Sequence, residues 1–359
     1  MKKKALAYLG GSRQLEDFIW YYLYKGKDYD WTLVCQPMFK KMKLSEVCEK
    51  AGIFKNIIQV DSYFAQSFSE LVKIGIKMGI YWITGQNKKY AVKEINKITN
   101  LEQYDLLCVS TSRGVTPGLM ILASDAECID LMEDGLGDNT DANIKFDIKR
   151  IFESKYFIAY CFAKMGYFNI NGIFPLKSTK KCNRYSENPE SLSKNLYKNV
   201  FQLNDMTRID KEEYKQIVDK AFGKIENLSD AEAIVFTTPL KDFTNDYEKY
   251  NDIMMQYLRD CGYKKIVMKK HPRDMSTYKN YGMKVIEVNP MIPGEKIVEI
   301  INDQKIFFMY TSTTMRSLQA VGKEANVFVF KELQEPQYKS CFNEHFSSLG
   351  LKEQMIIEV

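Results

Sequence analysis

A chain of 359 residues, 45% hydrophobic and 27% charged, has ordinary globular composition but is too long for one compact core, so two domains of about 150 residues each are expected. Its 23 Tyr and 21 Phe exclude wholesale disorder. With 51 basic against 46 acidic residues, a net charge of +5, the chain is no nucleic-acid binder acting through bulk charge, and affinity for an anionic small substrate must come from a built site.

Residues 4–9 read as a strand closed by Gly10-Gly11, with Ser12 as the N-cap of an amphipathic helix over 15–24. Further strands are expected at 31–35, 56–60, 105–109 and 127–132, with helices at 45–51, 66–77, 89–98 and 117–124 between them. Such alternation makes a parallel sheet covered on both faces, which assigns residues 1–150 to a first α/β domain. Residues 151–205, aromatic and then basic, read as connecting helices. Alternation resumes with strands at 233–237, 265–269, 284–288, 305–310 and 325–330 and helices at 247–260, 295–302 and 315–320. Residues 206–335 are therefore a second α/β domain, and 336–359 a C-terminal segment. Neither a Walker A motif nor a Gly-x-Gly-x-x-Gly loop is present, which removes the best support for ATP or NAD binding. Eight cysteines without a Cys-x-x-Cys or a Cys/His cluster read as single buried thiols of a cytosolic protein. No apolar run reaches the roughly 18 residues of a membrane span.

Only two histidines occur. His271 lies in Lys269-Lys270-His271-Pro272-Arg273, directly after the apolar run 266–268. That places it at the carboxyl end of an expected strand with cations beside it, a phosphate-facing position; a surface turn has the same local sequence. His345 reads as structural or solvated. Glu133-Asp134-Gly135 follows the last apolar run of the first domain. Adjacent carboxylates raise one another's pKa, so one can act as a general base near neutral pH, and Gly135 lets a substrate approach the backbone. An acidic turn or helix cap is the plain alternative, and two acids without a nearby histidine make a poor metal cage. Tyr310-Thr311-Ser312-Thr313-Thr314 opens a helical pattern after a strand, where hydroxyls and N–H groups bind phosphate or simply cap the helix. Pro293-Gly294-Glu295 opens another, with its carboxylate in the first turn. Gly11, Ser12 and Gln14, after the first strand, fit the edge of an acceptor pocket and a capped tight turn equally well.

Taken in order, Glu133-Asp134-Gly135, His271-Pro272 and Ser312-Thr313 resemble the acidic-acidic-Gly, His-Pro and Ser-Ser/Thr motifs of bacterial sialyltransferases of glycosyltransferase family 52 and of the related polysialyltransferases. The resemblance spans about residues 5–330. It implies α/β architecture of the GT-B type, two Rossmann-like domains facing each other across a substrate cleft. The implied activity is inverting, metal-independent transfer of N-acetylneuraminic acid from CMP-sialic acid to a terminal galactoside or sialoside of a surface glycan such as capsule or lipooligosaccharide. Carried over residue by residue, it has His271, beside Pro272, contact the donor phosphate together with Ser312 and Thr313. Lys269 would lie by the cytosine, Glu295 would hold the ribose hydroxyls, and Glu133 would be the base, supported by Asp134. A carboxylate after the first strand of the second domain is the other candidate base, and there the loop Thr237-Thr238-Pro239-Leu240-Lys241-Asp242 offers Asp242. No cofactor and no metal are implied. The expected partners are a CMP-sugar donor and a glycan acceptor, not nucleic acid, and a homodimer stays open. The expected place is the cytoplasm, at the inner face of the membrane, with the stretch 156–184 either docked on an anionic surface or forming a core helix and a solvated loop. The alternatives are the same fold serving CMP-Kdo or a UDP-hexose, and a non-catalytic glycan-binding protein.

Overall fold

The computed structural model describes residues 2–37, 43–61, 67–126, 128–133, 154–167, 177–187, 189–192, 197–225, 228, 230–242, 244–309, 314–330 and 356–358. It divides into two units, Met1–Phe222 and Gly223–Val359, each built on one parallel sheet.

The first sheet holds β1 (Lys3–Leu9), β2 (Tyr29–Cys35), β3 (Asn56–Gln59), β4 (Leu106–Val109), β5 (Cys128–Met132), β6 (Asn183–Ser186) and β7 (Asn199–Gln202), in the order β3-β2-β1-β4-β5-β6-β7. All neighbouring strands are parallel. Its helices are α1 (Ser12–Tyr21), which continues as a π-helical turn over Tyr22–Gly26, then α2 (Leu44–Ala51), α3 (Phe68–Ile83), α4 (Asn87–Ile95), α5 (Val115–Ala123), α6 (Ser154–Lys164) and α7 (Lys211–Phe222). Alternate strand residues serve opposite faces. Leu6, Tyr8, Leu107, Val109, Ile129 and Leu131 share a core with Leu71, Met78, Tyr90, Leu119 and Phe162 from α3 to α6. On the other face Phe18 of α1 meets Trp31 edge-on at 4.9 Å, and Tyr21 meets Tyr185 at 5.3 Å. Burial on both sides explains why these strands read as nearly unbroken apolar runs.

The span 151–205 is not only a connection. Within it β6 and β7 extend the first sheet, and the division between the units falls after Phe222, the end of α7. β6 reads Asn183-Arg184-Tyr185-Ser186, a polar run that is nonetheless buried throughout. Its side chains are anchored inside the core: Asn183 Nδ2 donates to Asp130 Oδ1 at 2.8 Å, and Arg184 Nη1 donates to the Met132 carbonyl at 2.7 Å. Asp130, wholly buried in mid-β5, also accepts from Tyr21 Oη at 2.5 Å and pairs with Lys25 Nζ at 2.6 Å. Anchored in this way, a polar strand can be buried.

The second sheet has β8 (Ala233–Phe236), β9 (Lys265–Lys269), β10 (Lys284–Val288), β11 (Lys305–Phe308), β12 (Asn326–Val329) and β13 (Ile356–Glu358), ordered β10-β9-β8-β11-β12-β13. Helices α8 (Tyr247–Asp260), α9 (Gly294–Val298) and α10 (Thr314–Ala320) accompany it. Met254, Met255 and Leu258 of α8 pack on Val235, Ile266, Met268, Phe307 and Phe328. Most of the C-terminal segment 336–359 lies outside the described residues, and Ile356–Glu358 pairs with β12. Strand order reverses between β1 and β4 in the first unit and between β8 and β11 in the second. At such switch points the connections leave in opposite directions, so the carboxyl ends of the strands border a crevice.

The seven described cysteines are free thiols. Most are buried as expected, but Cys261, at the C-cap of α8, is exposed. Among the described residues no helix is long and apolar enough to cross a membrane.

Candidate active site

Lys269, His271 and Pro272 lie at the carboxyl end of β9, next to the end of β8. β9 ends on Lys269, which is buried. Its ammonium donates to the carbonyls of Lys270 at 2.7 Å and Pro290 at 3.0 Å, tying the end of β9 to the segment after β10. Burial disfavours the charged form and brings Lys269 down to about 8, against the opposing pull of Glu295.

Two residues on, the chain turns. The Asp274 N–H donates to the His271 carbonyl at 2.8 Å and the Arg273 N–H to His271 Nδ1 at 3.1 Å. An acceptor role for Nδ1 leaves the neutral imidazole with its proton on Nε2, so the ring presents an N–H donor. Desolvation first, then the Arg273 and Lys269 charges, lower the His271 pKa to about 4, opposed by Asp274. The imidazole is therefore neutral at physiological pH. Its loop is held from below by buried Asp274, which accepts from Thr237 Oγ1, from Tyr278 Oη at 2.6 Å and from the Ser276 N–H at 3.0 Å. Thr237, the residue after β8, also accepts the His271 N–H at 3.3 Å. Thr237, Asp274 and Tyr278 were not singled out from sequence. Asp274, three residues past the histidine, carried the one signal that could have marked them.

Pro293-Gly294-Glu295 opens α9 as expected. A Cβ on Gly294 would collide with Thr314 Oγ1, so glycine is required for α9 to approach α10. Thr314 Oγ1 in turn donates to Glu295 Oε1 at 3.4 Å. Pro272 is half-buried beside His271. Ser312 and Thr313 lie outside the described residues, as does the Asp242 side chain; the backbone of Leu240–Asp242 forms one 3₁₀ turn after β8.

In the first unit Glu133 follows β5 directly and is buried. Its Oε2 accepts the Ser186 Oγ–H at 2.7 Å and the Glu187 N–H at 2.7 Å, both from the end of neighbouring β6. Burial raises its pKa above the usual carboxylate value, opposed by those two hydrogen bonds. Glu187 joins a second polar group: its carboxylate pairs with Arg13 and accepts from Asn204 Nδ2 at 2.9 Å, while Arg13 also meets Asp17 at 3.1 Å. Asp134 and Gly135 lie outside the described residues. Gln14 is buried at the switch point, its Oε1 accepting from the Gly10 N–H at 2.6 Å and Ser110 Oγ at 2.6 Å; it fastens the end of β1 to the end of β4. Ser12 is buried in the first turn of α1, and Gly11 is its N-cap, with open space where a side chain would stand. Ser186 and Glu187 have no sequence signal of their own, because polar β6 does not read as a strand. Among the described residues no group of three His, Cys, Asp or Glu side chains converges as a metal-ligand set.

Residues 148–329 match the sequence model of glycosyltransferase family 52, half of the chain. The chain belongs to glycosyltransferase family 52. The family 52 match contains Lys269, His271, Pro272, Glu295, Asp242, Ser312 and Thr313 and stops short of Glu133 and the β1 loop. No curated protein matches the sequence. Among solved structures, a sialyltransferase from Photobacterium damsela superposes with a TM-score of 0.50 at 11% identity, over 99% of this chain and 81% of that one. The S. aureus MnaA–UDP co-structure superposes with a TM-score of 0.52 at 11% identity, over 98% and 89%. At such identity the likeness is one of fold, and the family 52 chain shares the two-sheet GT-B architecture of these proteins.

Proposed function

We propose that this family 52 glycosyltransferase moves N-acetylneuraminic acid from CMP-sialic acid to a terminal galactoside or sialoside of a bacterial surface glycan, with inversion and without a metal ion. The observation that carries the donor half is the neutral His271, whose Nε2–H is available at the end of β9 while Lys269 and Arg273 supply positive charge around it. A phosphodiester leaving as CMP needs a hydrogen-bond donor and a cationic field, and a good leaving group needs no metal in principle. Glu295, in the first turn of α9 and close enough to Lys269 to influence its charge, is the residue we assign to the ribose hydroxyls.

For the acceptor half, Glu133 has the chemistry of a general base. Desolvation makes its carboxylate a better proton acceptor, and the Ser186 and Glu187 donors hold Oε2 in place. In the reaction the acceptor O–H passes its proton to the Glu133 carboxylate and the oxygen bonds to the anomeric carbon of the sugar. The bond from that carbon to the phosphate oxygen breaks, its electron pair departing with CMP, and the His271 Nε2–H stabilises the charge that builds there. A calorimetric comparison of CMP with UDP and UDP-hexoses tests the donor. CMP binding at least tenfold tighter agrees with the proposal; tighter UDP binding assigns the fold to another donor.

A further inference from the structure

Helix α3 is apolar on two sides. Ser67 starts it with a capping box, Glu70 N–H donating to Ser67 Oγ while Glu70 Oε2 accepts from the Ser67 N–H, and 16 residues follow. Leu71 and Met78 face the core of the first unit, with Ile74 and Tyr81 packed at its margin. A helix with one such stripe should be polar elsewhere. Instead Phe68, Val72, Ile76, Ile80 and Ile83, spaced by three or four residues, form a second stripe directed outward. Ile76 is 61% exposed, Ile80 58% and Ile83 78%, with Trp82 exposed at the same end. Gly75 lets α6 pack close, since a Cβ there would stand 3.2 Å from the Phe162 ring. Between the two helices an apolar groove of about 560 Å³ opens, bordered by Phe68, Val72, Ile76, Phe157 and Met165.

The surroundings of this stripe are basic. Between Ser67 and Lys93 the chain has five exposed lysines (Lys73, Lys77, Lys88, Lys89 and Lys93), of which Lys88 pairs with Asp125, and one acid, Glu70, whose carboxylate is engaged in the helix cap. Lys73 and Lys77 flank the stripe along the helix and have no carboxylate partner among the described residues. A two-fold pairing of this face with itself would bring like charges together. An apolar stripe with Trp at one end and lysines along its edge matches instead the boundary between acyl chains and anionic headgroups. At 16 residues, about 24 Å, α3 lies along such a boundary and does not cross it.

We propose that the outer face of α3, with the groove it shares with α6, docks this protein on an anionic phospholipid bilayer. This inference does not rest on the donor or acceptor assignment: a transferase using any donor, or none, would dock by the same face. It centres the membrane contact on α3, with only the α6 part of the expected stretch 156–184 bordering the groove; 168–176 lies outside the described residues.

The test is co-sedimentation of the full chain with vesicles of phosphatidylcholine alone and of phosphatidylcholine mixed with phosphatidylglycerol, in parallel with sedimentation velocity without lipid. The protein should pellet with the anionic vesicles and be released by salt. K73E/K77E should lower partitioning about tenfold or more, since each lysine near such a surface contributes about fivefold. The triple variant Ile76→Ser, Ile80→Ser, Ile83→Ser should lose binding with an unchanged melting temperature, because these side chains are already in water. Failure to pellet with anionic vesicles, or equal pelleting of the variants, overturns the proposal. A concentration-dependent dimer that the triple variant abolishes, in a protein that does not pellet with vesicles, gives the face to a second copy and overturns it too.

Discussion

Replacing Glu133 by Gln separates catalysis from folding. The amide keeps a carbonyl oxygen where Glu133 Oε2 accepts from Ser186 Oγ and the Glu187 N–H, each at 2.7 Å, so both donors remain satisfied. What disappears is the proton acceptor. Loss of a positioned general base lowers turnover about 10²- to 10⁴-fold, or about 3–5 kcal/mol of transition-state stabilisation. Folding should respond in the opposite sense. Burial raises the Glu133 pKa in the folded state, so the folded protein binds that proton more tightly than the unfolded chain does. The stability this confers is present below the ordinary carboxylate pKa and is lost as pH rises through the folded value. At neutral pH the buried carboxylate is a burden that Gln lacks, and Glu133→Gln should melt at the wild-type temperature or above. Steady-state CMP release, calorimetry with CMP and thermal melts on the same preparations read all three quantities, with CMP affinity expected to be unchanged. Near-wild-type turnover would refute the assignment, above all if Asp242→Asn showed the large loss instead. Parallel losses of turnover and melting temperature would reduce Glu133 to a structural carboxylate.

His271→Ala should weaken binding of a CMP-sugar phosphodiester about 10- to 100-fold by removing a hydrogen bond to a charged group, and turnover should fall with it; unchanged affinity by calorimetry contradicts the phosphate role. Because His271 titrates near 4 in the folded protein against an ordinary 6.5, its contribution to stability is present above 6.5 and lost as pH falls through 4. Wild type should therefore lose on the order of 3 kcal/mol relative to His271→Ala across that window in denaturant titrations. Gly294→Ala must push a Cβ into Thr314 Oγ1, so it should lower stability by about 1–3 kcal/mol and be partly rescued by Thr314→Ala. Asn251, buried in α8 with neither side-chain polar atom partnered among the described residues, should tolerate Leu with a gain of about 1 kcal/mol, read as a raised urea midpoint. Activity should persist in EDTA; a loss restored by Mg²⁺ or Mn²⁺ contradicts metal-independent transfer.

Legibility in the sequence followed burial. A strand inside the sheet such as β9, buried from Ile266 to Lys269, reads as an apolar run and its expected bounds match the structure, as do those of α8, whose apolar positions recur at helical spacing. The edge of the first sheet was not legible. β6 is buried through Asn183, Arg184 and Ser186, and its polarity makes sense only beside Asp130 and Glu133, which are more than fifty residues away in sequence and adjacent across a sheet. For the same reason the partners of Glu133 were missed although Glu133 itself was named. In the second unit the His-Pro turn was legible as a strand-end motif, whereas its supports Thr237 and Tyr278 reach it only through the fold. Gln14, which in sequence fits the edge of an acceptor pocket or a capped turn, turns inward to clamp β4. Local sequence does not say whether a polar side chain after a strand meets substrate or a neighbouring strand. The outer stripe of α3 was hidden in a different way, since apolar residues on both sides of a helix read as core until their exposure is known.

The account stands most directly on the identity of the transferred sugar. Incubation of the protein with CMP-sialic acid and an array of galactosides and sialosides, followed by mass spectrometry, should yield acceptors heavier by one N-acetylneuraminic acid residue together with stoichiometric CMP. Transfer from CMP-Kdo or a UDP-hexose but not from CMP-sialic acid, or no product from any donor, would contradict it.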